Sequence, residues 1–439
     1  MRNMVALIRE RLSDDVYSRL CEVGRTAVAR NERAFIVGGF VRDLILKRHN
    51  LDVDVMVEGD GISIARILAS KWHVEITVHQ QFLTATLAFL DGSHMDIATA
   101  RRERYPKPAT LPIVEPATAT EDLWRRDFSI NAIAVSIMPH TFGEILDPCV
   151  GIADIERGIV RVLHSRSFID DPTRMFRAVR FEQRFGFVIE PATLELLHQA
   201  RDAGYIELLT ADRIKHEWIR LIDEPEPPRY IYRLVELDLL RRIHPALQLR
   251  SAFAKNVLNA LLQIERRAQE LAPDMSYKRW LLYTMPLLHG APCEAIESLC
   301  ERYSIGEKGI RAFMQIQSAY DALYKLHHDT PPSTIKEVWD AFAPEAMLYA
   351  WACATVEASY NPAVSFKVEQ MEAYIHHYRH VKPDITGDDI IATGIPPGWW
   401  IGEGLKAALK IKLDENADRD AQLSVALQAT QVARASIDE

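Results

Sequence analysis

Residues Asn50 to Gly61 read NLDVDVMVEGDG, with two aspartates, Asp52 and Asp54, one residue apart in a run that otherwise has the character of a buried strand. Side chains alternate faces along a strand, so Leu51, Val53, Val55 and Val57 point one way and Asp52, Asp54 and Met56 the other. At a rise of about 3.3 Å per residue the two carboxylates stand about 7 Å apart along the strand. Like charges on one partly buried face raise each other's pKa unless a cation lies between them, so the pattern asks for a metal ion or a basic partner. Two-metal phosphoryl transfer is one chemistry that uses such a pair: carboxylates hold divalent cations about 4 Å apart, one activating an attacking hydroxyl and the other clamping a triphosphate. An isolated Asp-x-Asp is more often a solvated strand face.

Nine residues upstream of Asp52 the segment IVGGFVRD, Ile36 to Asp43, supplies a second feature. Glycines between a strand and a helix let backbone amides approach a phosphate, the helix N-terminus adds a favourable dipole, and Arg42 offers two parallel donors to phosphoryl oxygens. The spacing is neither G-x-G-x-x-G nor a P-loop, and a tight turn is the plainer reading. Downstream, HMDIATARRERYPKP (His94 to Pro108) places Asp96 on a strand-like segment, where it could complete a carboxylate trio. The cluster of Arg101, Arg102, Arg104 and Lys107 around Tyr105 then suits a polyanion or a solvated loop.

These residues sit in an ordinary folded chain. With 439 residues, 48% hydrophobic and 26% charged, two to four domains and a sizeable core are expected. The opening apolar run is too short for a signal peptide and no window approaches a membrane span, so a cytoplasmic protein is expected. Five cysteines without a C-x-x-C pair indicate neither a disulfide framework nor a thiolate zinc site. The net charge of −9 argues against indiscriminate coating of nucleic acid, but residues 161–250 carry 15 Lys/Arg against 14 Asp/Glu, a net of +1, which leaves −10 elsewhere. Residues 1–30 have helical spacing, and AFIVGG, the aspartate strand and the Asp91-Gly92 turn outline a small mixed α/β domain. From Ser167 the periodicity is helical throughout, with EPEPP at Glu224 to Pro228 as a boundary and no solenoid repeat.

The segments GGFVRD, LDVDVMVEGDG, MDIATARRERY, DLWRRDFSINAIA (Asp122 to Ala134) and SFIDDPTRMFRAVRFEQRFGF (Ser167 to Phe187) together resemble, in order and spacing, the class II tRNA nucleotidyltransferase and bacterial poly(A) polymerase family. The resemblance implies an α+β fold. A DNA polymerase β-like nucleotidyltransferase head with a mixed sheet (1–160) would be followed by an all-helical neck (161–228), body (229–380) and tail (381–439). It implies Mg²⁺ as cofactor, ATP and/or CTP and the 3′ end of tRNA as partners, and no membrane or obligate protein partner. Asp52 and Asp54 match the magnesium-binding aspartates, with Asp96 as a third catalytic carboxylate. Gly39 and Arg42 match the triphosphate-binding turn. Arg126 and Asp127 match the RRD motif associated with sugar and triphosphate. Asp171, Arg174, Arg177 and Arg180 match the neck helix that reads the base. Asp170 stands where CCA-adding members commonly carry Glu, and Ser129 where Thr is usual. DDPTR with VEGDGI looks most like the subgroup that includes A-adding enzymes, whose phosphoesterase-like and CBS domains have no counterpart here.

On a continuous helix Asp171 and Arg174 would be i and i+3, presenting an acceptor and a donor side by side to a base edge. Cytosine or adenine would give amino protons to Asp171 and accept from Arg174. The expected activity is addition of CMP and/or AMP to tRNA 3′ ends, with a general poly(A) polymerase as the alternative and an RNA-binding protein without catalysis as a third reading. Other signals carry less: His376 and His380 on a partly buried helix face, a lone His328-Asp329 dipeptide, and Trp399 and Trp400, which could stack on RNA or pack a helix corner.

Overall fold

The computed structural model describes residues 3–48 and 53–435; Asp52 lies outside them. The chain forms two compact units, Met1–Leu221 with Glu236–Ile243, and Ile222–Val235 with His244–Glu439.

The first unit opens with α1 (Val5–Arg11) and α2 (Asp14–Ala29) rather than one helix. The break falls at Ser13, whose side chain accepts from the Val16 amide and caps α2, with Asp14 and Asp15 in the first turn. Strand β1 (Arg33–Val37) runs into α3 (Gly39–Ile45), and β2 (Val53–Glu58) is the described part of the aspartate strand. Helix α4 (Gly61–Trp72) leads to β3 (Glu75–His79), β4 (Thr84–Ala88) and β5 (His94–Thr99). The β4–β5 hairpin turns at Asp91-Gly92, where Asp91 accepts from the Ser93 amide at 2.8 Å. A separate two-stranded ribbon follows, β6 (Arg101–Arg104) with β7 (Ile113–Pro116), then α5 (Ala119–Trp124), β8 (Ala134–Ser136) and β9 (Ile145–Leu146).

The seven-stranded sheet has the order β3-β4-β5-β2-β1-β8-β9, mixed because β2 and β5 are parallel while the other pairs are antiparallel. Helix α4 packs on β2 to β5, burying Ile64, Ala65 and Leu68. A second cluster gathers Phe35, Val37, Met56, Ala100, Leu123 and Ala134, which explains why Met56 is buried although it shares a strand face with Asp54.

Helix α6 (Gly151–Arg157) and β10 (Ile159–Val160) precede α7 (Ser167–Asp170), α8 (Thr173–Phe185), β11 (Val188–Ile189), α9 (Pro191–Asp202) and α10 (Ala211–Ile222). The neck region is therefore not wholly helical. Gly186, at φ 67°, ends α8 in the left-handed region and turns the chain so that β11 pairs in parallel with β10. Residues 161–221 fold with the residues before them in one unit.

The second unit is helical among the described residues. Helices Ala252–Leu271 and Arg279–Leu288 pack against Pro344–Tyr360, whose continuous apolar run buries Trp351, Tyr349 and Leu348. Helices Trp400–Glu415 and Arg419–Ala435 lie side by side over Ile385, Ile390, Ala408 and Ala426. They approach closely because Gly404 has no Cβ, which would stand 2.8 Å from the Ala426 carbonyl oxygen.

Candidate active site

The floor of the site is the parallel pair β2–β5. Asp54 is the register partner of Asp96, so both carboxylates leave the same face of adjacent strands. Thr86, opposite Asp96 on β4, donates its hydroxyl to Asp96 Oδ1 at 2.5 Å and fixes that rotamer. Ile36 pairs with Val55, and the chain leaving β1 turns beside Asp54 at Gly38. Gly38 has φ 72° and ψ −137°, a conformation that side chains rarely adopt, and a Cβ there would stand 2.9 Å from an Arg126 guanidinium nitrogen and 3.6 Å from Asp54 Oδ2. The glycine thus admits a cation and a carboxylate to the same point. Hard divalent cations take carboxylate oxygens, and the Asp54–Asp96 pair is of that kind, with Asp52 outside the described residues. Among the described residues no group of three or more His, Cys, Asp or Glu converges as a metal cage.

Beside the carboxylates a cleft of about 380 Å³ is lined by Gly38, Gly39, Arg42, Asp54, Arg126, Asp127, Arg177, Arg180 and Arg184. The arginines are held in defined ways. Arg42 is buried, donates to both oxygens of Asp43 at 2.9 and 3.0 Å and to Asn131 at 2.5 Å, and stacks on Phe181 and Phe185. Burial lowers its pKa, with Asp43 acting in the opposite direction. Its donor fork is thus largely spent inside the protein, a different disposition from the open phosphate fork expected of it. Arg126 donates to Asp122 at 2.9 Å, while its Nε is buried without a hydrogen-bond partner among the described residues. Asp127 Oδ2 accepts from two nitrogens of Arg177 at 2.6 and 2.9 Å, and Oδ1 accepts from the Asn131 amide and the Phe128 N–H. Burial alone would raise the Asp127 pKa; Arg177 and Asn131 outweigh it and hold the carboxyl down at about 2.

A second cleft of about 370 Å³ shares Arg126, Asp127 and Arg177 with the first and adds Arg101, Glu103, Tyr105, Leu111, Arg125, Asp171, Arg174 and Arg213. Asp171 and Arg174 both line this cleft, but not on one helix. Asp171 closes α7 with extended dihedrals (φ −135°, ψ 93°), Pro172 follows, and α8 begins at Thr173. The residue before proline is pushed out of the helical region, so the i, i+3 geometry on a continuous helix is replaced by a break. Asp171 Oδ1 instead accepts from the Thr173 amide and hydroxyl. Arg174 is buried and donates to Ser167 and to the Arg125 carbonyl.

Residues 34–161 match the family described as Poly A polymerase head domain, and residues 186–249 match the one described as probable RNA and SrmB-binding site of polymerase A. A solved structure of a CCA-adding enzyme in an apo form superposes with a TM-score of 0.85 and 32% identity over 98% of this chain and 99% of that one. The chain belongs to the tRNA nucleotidyltransferase family. A Thermotoga maritima CCA-adding enzyme complexed with tRNA aligns with a TM-score of 0.80 and 29% identity over 98% of both chains. An A-adding tRNA nucleotidyltransferase of Geobacter sulfurreducens is 33% identical over 97% of this chain and 48% of its own length, so the chain spans about half of that relative. tRNA nucleotidyltransferases generally work with a divalent metal.

Several residues of the candidate site lie outside the positions expected from the sequence. Gly38, rather than Gly39, carries the left-handed turn. Asn131 bridges Arg42 and Asp127, and Arg125 ties Asp122 to Glu103 across the base of the β6–β7 ribbon. The RRDFSIN string offered Arg125 and Asn131 by proximity to Arg126; Arg213, 42 residues beyond Asp171, offered no signal. In the basic cluster only Arg101 lines the cleft: strand alternation sends Arg102 outward to Glu115 and leaves Arg104 exposed, as is Lys107. His376 ends one helix and His380 lies in the following turn, both exposed rather than on a shared buried face. Trp400 donates to the Pro396 carbonyl, whereas Trp399 is exposed. No described helix is long and apolar enough to cross a membrane.

Proposed function

We propose that the chain is a template-independent nucleotidyltransferase that adds CMP and/or AMP to the 3′ end of tRNA, using Mg²⁺ and CTP or ATP, in the cytoplasm. The observation that carries this reading is the paired Asp54–Asp96 face beside the Gly38 turn, opening onto a cleft walled by Arg126, Arg177, Arg180 and Arg184. The RNA 3′ hydroxyl attacks the α-phosphorus, a new P–O bond forms, and pyrophosphate leaves with the electron pair of the broken bond. Asp54 and Asp96, with Asp52, would hold the magnesium, which when bound lowers the pKa of the attacking hydroxyl and neutralises developing phosphate charge. Arg126 and the α8 arginines orient the triphosphate, and Gly39 with Arg42 shapes the turn beneath it. Asp127 holds Arg177 at the boundary of the two clefts, and Asp171 with Arg174 faces the base.

The test supplies tRNA transcripts ending at the discriminator base, after one C or after two, with CTP, ATP or both. Extension confined to these ends upholds the reading, and the nucleotide used at each end decides among CCA, CC and A addition. A poly(A) ladder on unrelated RNA would instead support the polymerase named by the matching head-domain family.

A further inference from the structure

We infer that Arg213, on α10, is a positioning residue that sets the orientation of the Asp171 carboxylate and thereby the nucleotide selectivity of the site. The inference rests on the nucleotide-binding reading above and deepens it. Arg213 divides its guanidinium between two partners: one terminal nitrogen donates to Asp171 Oδ1 at 2.6 Å, the other to the Ala109 carbonyl at 2.8 Å. Asp171 Oδ1 also receives the Thr173 amide at 3.0 Å and hydroxyl at 2.6 Å, so three donors converge on one oxygen. Oδ2 has no hydrogen-bond partner among the described residues, and Asp171 lines the cleft. The carboxylate therefore keeps one oxygen for an exocyclic amine, the group that cytosine and adenine share and that uracil lacks.

The other anchor of the fork is equally specific. Ala109 lies in the connection between β6 and β7, is buried, and has φ 60°, a left-handed conformation that a non-glycine residue keeps only when its surroundings hold it there. Arg213 thus ties three segments, α10, the ribbon connection and the α7–α8 break, at the carboxylate. Lysine, a point charge, cannot replace a planar fork serving two acceptors.

The experiment measures kcat and KM for ATP and CTP, and misincorporation of UTP and GTP, with Arg213→Ala, Arg213→Lys, Asp171→Ala and the double variant, all checked for folding by circular dichroism. Arg213→Gln, which keeps a donor, stands in if Arg213→Ala does not fold. Arg213→Ala is expected to raise KM for the accepted nucleotide about tenfold with a smaller change in kcat, the scale of a lost charge-assisted hydrogen bond, and to reduce discrimination against UTP. In the Asp171→Ala background it should add nothing further. Equal losses for all four nucleotides, or additivity with Asp171→Ala, overturn the inference. Calorimetric titration with ATP and CTP in the absence of RNA separates the two readings. Selective loss of binding in Arg213→Ala upholds the positioning role even if no tRNA end is extended, and a wild type that binds neither nucleotide overturns both.

Discussion

Asp127 shows how a single buried carboxylate joins the sheet domain to α8. Its charge is held by Arg177 and Asn131, and its folded pKa of about 2 lies below the ordinary carboxylate value. A depressed folded pKa contributes stability that is present above the unfolded value, about 3.9, and is lost as pH falls through the folded one. Urea unfolding between pH 5 and pH 2 should therefore show a loss on the order of 2 kcal/mol from this group, and Asp127→Asn should remove that share of the pH dependence. The carboxylates of the floor act differently. Asp54→Ala and Asp96→Asn should lower nucleotide incorporation by about a thousandfold or more with the circular dichroism spectrum unchanged, because they hold charge for chemistry rather than for packing. Retained activity in Asp54→Ala would exclude it as a metal ligand.

At the scale of elements, two breaks matter more than any regular segment. The turn from β1 to α3 depends on Gly38, whose backbone conformation strains any side chain and whose Cβ would press on the Arg126 guanidinium. Gly38→Ala should cost about 1–3 kcal/mol by chemical denaturation and raise the KM for nucleotide, since the added methyl group pushes the Arg126 guanidinium aside. The break between α7 and α8 is set by Pro172 and leaves Asp171 off the helix, where its side chain caps Thr173 and meets Arg213. Arg174, Arg177 and Arg180 all lie on α8, with Arg174 in one cleft, Arg180 in the other and Arg177 in both, but the carboxylate Asp171 comes from the linker.

Across the whole molecule the site residues all fall in the first unit, while the second has a core of its own around the helix Pro344–Tyr360. Trp351 is 1% exposed in that core. Trp351→Ala should cost about 3–5 kcal/mol of stability by urea denaturation and leave ATP affinity, measured by titration calorimetry, unchanged. The net charge of −9 limits non-specific attraction to RNA, so positive charge acts locally through the arginines of the clefts. Affinity for tRNA should fall with salt along a shallow logarithmic slope, about −0.7 to −0.9 per phosphate contacted, whereas unrelated RNA should bind weakly at physiological salt.

Much of this protein was written in local pattern. Alternation along β2 and β5, the Asp91-Gly92 turn, the glycine-arginine turn and the helical second half follow from side-chain periodicity and turn chemistry, which act over a few residues. The order of motifs was enough to name the family. Tertiary structure decided what depends on distant partners. It closed Arg42 into a buried fork with Asp43 and Asn131, and bound Asp127 to Arg177 fifty residues away. It placed Asp54 in register with Asp96, and brought Arg213 to Asp171 and Ala109. A guanidinium carries the same letter whether it faces a phosphate or a carboxylate, and only the folded chain determines which acceptor lies within reach.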